Sequence, residues 1–72
     1  MQLQIWVVYD HPKDFPNDYI ARKFVVTADG PGITADVLLG NLDYIRHQLH
    51  TAGFVRMSRF PQDDPVIMES WI

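Results

Sequence analysis

The chain has 72 residues, a net charge of −3 and a hydrophobic content of 47%. That is enough for one small globular domain, burying only ~60% of the surface its unfolded form exposes. It has no cysteine, which excludes a disulfide framework, a thiolate metal site and a Cys nucleophile.

Small secreted domains usually rely on disulfides, so their absence predicts a cytoplasmic protein. No apolar run approaches the ~20 residues that cross a bilayer. The N-terminus has no basic segment ahead of an apolar one, so no signal peptide is expected. The six basic residues, Lys13, Arg22, Lys23, Arg46, Arg56 and Arg59, are scattered. Nucleic-acid modules usually cluster them, so phosphate-backbone binding is disfavoured.

Residues 2–9 alternate between Leu3, Ile5, Val7, Tyr9 and Gln2, Gln4, Trp6, Val8. Period-two patterning with branched and aromatic residues predicts a strand, with the first set facing a core. Pro12 and Pro16 end it, having no N–H to give a ladder. Residues 19–27 predict a second strand, in which Ile20, Phe24 and Val26 share a face and Arg22 intrudes on it. Asp29-Gly30-Pro31-Gly32 predicts a turn.

Thr34–Leu39 predicts a third strand, broken by Gly40 and followed by a helix capped by Asn41. Leu42, Ile45 and Leu49 recur at helical spacing, and Gly53 is a natural stop. Asp43 near the helix start and Arg46, His47 and His50 toward its end suit the dipole. The alternative is one long helix from Thr34 to Ala52, against which Gly40 counts by ~1 kcal/mol. Phe54–Phe60 and Val66–Ile72 predict a hairpin joined by Pro61–Pro65. The expected fold class is α+β: a small, mostly antiparallel sheet in the order β-β-β-α-β-β, with one helix packed on one face. In that topology the two Asp/Pro loops, 10–18 and 61–65, share one end of the sheet. The long-helix alternative separates them.

The Tyr9-Asp10-His11-Pro12-Lys13-Asp14-Phe15-Pro16 segment and the Asp63-Asp64-Pro65-Val66-Ile67-Met68-Glu69-Ser70-Trp71-Ile72 segment resemble those of a family of small, uncharacterised bacterial and prophage proteins. The likeness, counted with Arg59–Gln62, touches about a third of the chain and includes no active-site signature. It implies a bacterial or phage accessory protein of the cytosol and carries no activity with it.

Three side-chain groupings bear on function. Asp10, His11, Asp14, Asp63 and Asp64, with Asp18, gather at one end in the preferred topology, where carboxylate oxygens suit Mg²⁺ and a His–Asp mixture suits Mn²⁺ or Zn²⁺. Their spacing matches no established metal loop, and aspartates in turns ordinarily bond nearby backbone N–H groups, so no cofactor is expected. His11 beside Asp10 and Asp14 has the make-up of an oriented base. No nucleophile elbow or Gly-rich oxyanion loop accompanies it, so no catalytic residue is assigned. Two histidines three apart, His47 and His50, share a helix face but more simply suit its C-terminal end.

The third grouping is apolar. Trp6, Val8, Ile67 and Trp71, with Lys23, Arg56 and Glu69 around them, are expected on the sheet face that the helix leaves open. Tryptophan with arginine is the composition of an interaction surface. The expected function is therefore a small cytosolic accessory or binding protein acting through a protein partner or self-association as a homodimer. One alternative is a small metal-dependent enzyme, or enzyme subunit, using the Asp/His cluster. Another is a nucleic-acid-binding regulator stacking bases on an aromatic sheet face, which the net charge disfavours.

Overall fold

A computed structural model describes residues 3–58 and 64–72. The described chain runs β1 (Leu3–Asp10), β2 (Tyr19–Thr27), β3 (Gly30–Gly40), α1 (Leu42–Thr51), β4 (Arg56–Ser58) and β5 (Ile67–Trp71). The five strands form one antiparallel sheet in the order β3-β2-β1-β5-β4. Thr34–Leu39 is thus strand, inside a longer β3, and the helix begins only after Gly40. Predicted strand residues 59 and 60, and the loop positions 61–63, lie outside the described residues.

Local chemistry explains the break between β3 and α1. Gly40 has φ +143°, a conformation that side-chain-bearing residues rarely adopt. A Cβ there would also meet the Tyr44 ring at 3.3 Å. Asn41 follows in extended conformation, and its side chain accepts the Tyr44 N–H at 2.8 Å. That cap satisfies one of the helix's free donors and is worth about 1 kcal/mol. At the other end Gly53, at φ +94°, reverses the chain. The Gly53 and Phe54 N–H groups donate to the carbonyls of His50 and Leu49, closing the last turn.

The turn between β2 and β3 is tighter than its Asp-Gly-Pro-Gly run predicts. Thr27 already pairs with Gly30, leaving Ala28 and Asp29 as the whole loop. The Thr27 hydroxyl accepts the Asp29 N–H at 3.2 Å, and Pro31 and Gly32 belong to the ladder. Pro31 is tolerated because β3 is an edge strand.

The core lies between helix and sheet. Ile45 and Leu49, one helical turn apart, pack with Val8, Ala21 and Trp71, and all five are buried. Ala21, the third residue of β2, packs against the helix residues and has no bulk to hold them away. Leu42 and Phe54 close the margins.

Register then assigns the two faces, and it reverses the expectation for β1. Val8 pairs with Ala21 and Glu69, and Trp6 pairs with Lys23 and Trp71. These side chains form the helix-covered face. Leu3, Ile5, Val7 and Tyr9 point the other way, with Ile20, Arg22, Phe24 and Val26 of β2. The physical reason is steric: the set that puts Ala21 under the helix lets it approach, whereas the set that would put Arg22 there does not.

Candidate functional site

The face expected to be open is the covered one, so its predicted binding residues need relocating. Val8 is fully buried and Trp71 is 5% exposed, both under the helix. Trp6 is half-buried and meets Phe54 edge-on, with ring centroids 6.4 Å apart. Its indole N–H is buried with no partner among the described residues. Lys23 is half-buried and bridges Asp36 of β3 at 2.9 Å. Ile67 is half-buried opposite Tyr9, beyond a bulge that shifts the β1–β5 register. Arg56 alone of the six remains exposed. It lines an apolar groove of about 350 Å³ with His50, Phe54, Val55 and Trp71. An aromatic platform for stacked bases on the helix-free face therefore loses both tryptophans to the helix-covered one.

The covered face instead holds a carboxylate. Glu69, on β5, is 1% exposed. Arg46 reaches it from the helix, with Nη2 at 2.7 Å and Nε at 3.2 and 3.3 Å from its two oxygens. The Trp71 indole N–H donates at 2.7 Å, and Arg56 stands 3.7 Å away. Burial opposes the carboxylate charge, but hydrogen bonds from Arg46 and Trp71 and the charges of Arg46 and Arg56 prevail. The Glu69 carboxyl therefore titrates below its ordinary range. The same hydrogen bond raises Arg46 above its ordinary value. The four groups satisfy one another and clamp helix to sheet. The sequence carried one sign of this, a lone acid amid apolar strand residues. Its partner lies 23 residues earlier, in another element.

At the predicted acidic end, the β1 terminus and residues 64–66 do meet: the Asp10 N–H donates to the Val66 carbonyl at 2.7 Å. Three of the described carboxylates there have near partners. Asp10 contacts His11 Nδ1, Asp14 pairs with Arg22, and Asp64 accepts the Val66 N–H at 3.0 Å. Among the described residues no three His, Asp or Glu side chains converge on one point. Asp63 lies outside the described residues. His11 has φ +47°, a left-handed backbone that is uncommon outside glycine but that histidine takes more readily than most, and its imidazole meets Tyr19 edge-on with ring centres 4.7 Å apart. His47 and His50 are exposed on the helix.

The 11–18 loop folds back over part of the helix-free face. There Asp14 pairs with Arg22, whose guanidinium lies 5.8 Å from the Phe15 ring centre. Ile20, on the same face, is fully buried. Burial pushes the Tyr9 phenol up, and Arg22 pulls it part of the way back.

Beyond that loop the face is apolar and open. Ile33 is 69% exposed, Leu3 48%, Val37 42% and Leu39 41%. Register puts Ile33 opposite Phe24, Val37 opposite Arg22 and Leu39 opposite Ile20, so all share this face. Met57 joins them from β4, through its pairing with Ser70 and that of Ser70 with Val7. Arg22 is the one charged side chain that alternation puts here among the described strand residues, and Asp14 neutralises it.

Compared with known proteins, the chain matches no family model, no curated protein and no solved structure. Among the described residues no helix is long and apolar enough to cross a membrane.

Proposed function

We propose that the protein is a small binding module that acts through the helix-free face of its sheet, docking on another protein surface. The observation that carries this is the gathering of Leu3, Ile33, Val37, Leu39 and Met57, all exposed, on one side of one sheet. Single exposed apolar residues are ordinary, whereas contiguous apolar patches mark interaction sites. A sheet with two apolar faces needs two covering layers, and one helix supplies only one.

A photo-crosslinking amino acid in place of Val37 tests the proposal. In lysate it is expected to form a covalent adduct with a protein. The same group at Tyr44, exposed on the helix, is expected to form none. Equal labelling from both positions, or none from Val37, would count against the helix-free face as the site.

A further inference from the structure

The chemistry of that face identifies its occupant, and we infer that it is a second copy of this chain, packed sheet against sheet about a two-fold axis. The inference rests on the docking role proposed above.

Charge is the first ground. A face built to meet a different protein usually presents ions for that partner to complement. Among the described strand residues the single cation on this face, Arg22, is already paired within the chain, by Asp14. Lys23, Arg56 and Glu69 belong to the opposite face by register, and Asp43 sits in the first turn of the helix. An apolar, internally neutral face complements its own image. Each copy brings its Arg22 already paired with Asp14, so the described strands of two copies put no unpaired charge into the contact, although each chain carries −3.

Area is the second ground. The five strands hold 36 residues between them, which at ~3.3 Å per residue and ~4.8 Å spacing make a plane of roughly 570 Å², part of it under the 11–18 loop. Two such faces bury about 1,000 Å², the lower bound for a specific interface. Two sheets stacked ~10 Å apart at about −30° would interdigitate their side chains as in a sandwich. An isologous contact of this kind closes on itself and leaves no sticky surface over.

Shape is the third ground. The 11–18 loop covers the face at Ile20 and Arg22, while the most exposed apolar residue, Ile33, lies toward the β2–β3 turn. A two-fold axis near Val37 brings the loop of one copy beside the uncovered half of the other.

Sedimentation of the full chain at tens of micromolar is expected to give twice the 8.4 kDa protomer mass. Ile33→Lys and Val37→Lys each place two ammonium groups in a symmetric apolar contact, and each should weaken association about tenfold or more. Both positions are exposed in the protomer, so far-UV circular dichroism should not change. Tyr44→Lys, on the helix, should leave the dimer intact. A wild-type chain that stays at the protomer mass, or a dimer that survives Ile33→Lys and Val37→Lys together, overturns the second copy as occupant. If the pure chain stays at protomer mass and Val37 crosslinks a different protein in lysate, only the occupant is wrong. If Val37 also gives no adduct, the docking role falls with it.

Discussion

The two faces of this sheet invert the usual division of labour. The covered face contains an ionised carboxylate, two arginines and an indole N–H, while the open face is nearly all hydrocarbon. Directional groups fix one thing in one place, and Glu69 with Arg46 and Trp71 fixes the helix at one position along the sheet. Non-directional surface suits contact with something that arrives from outside. The difference teaches that the polar interactions here hold the protomer together, and the apolar ones are partly left for association.

The largest test of that contrast is at the covered face. Leu49→Ala removes a fully buried side chain and should cost 2–5 kcal/mol in urea unfolding, about the whole stability of a small domain. Arg46→Met should cost about 3 kcal/mol, because it leaves Glu69 buried with only Trp71 and the more distant Arg56. Pairing Arg46→Met with Glu69→Leu should recover much of that loss, since apolar replacement of a buried ion pair is often neutral or stabilising. If the double variant is no better than the single, the clamp does not work as a unit.

Acid sharpens the same point. The folded Glu69 carboxyl titrates below its unfolded value of ~4.3. A depressed carboxyl contributes stability that is complete above the unfolded value and is lost as pH falls through the folded one. The melting temperature should therefore drop below about pH 4, and Glu69→Gln should flatten that drop while lowering stability at neutral pH. Equal slopes in the two proteins would show that other carboxylates govern acid unfolding.

Smaller effects are expected at the strand–helix junction and on the open face. Gly40→Ala forces a side chain into a φ of +143° and against Tyr44, at about 1–2 kcal/mol. Ile33→Thr should change protomer stability by less than about 0.5 kcal/mol, measured at a dilution where association is absent. A large loss there would mean that Ile33 belongs to the protomer core after all.

Much of the architecture was legible in the residues. Gly40 followed by Asn41 marks the end of β3 and the start of the helix, and Leu42, Ile45 and Leu49 give the face it buries. The common end of β1 and residues 64–66 followed from counting reversals. The two faces were not legible. In β1 both alternating sets are apolar, so period-two patterning cannot say which one meets the helix. Ala21 and Arg22, adjacent in β2, carry the deciding signal, and it is one of bulk. The Glu69–Arg46 pair was hidden for another reason: nothing in the spacing of two residues in different elements foretells a contact made by packing.

Strand order has a consequence for how the chain is made. β1 lies at the middle of the sheet, between β2 and β5, yet Ile67 follows Asp10 by most of the sequence. During synthesis at ~5–20 residues per second, roughly 3–11 s pass before the chain that fills the second side of β1 exists. Until then the nascent β1–β2–β3 meander has an unpaired inner edge, a ready template for a neighbouring chain on the same polysome. Closing that edge is the long-range, slow step of folding, and it also delivers Glu69 to the waiting arginine on the helix.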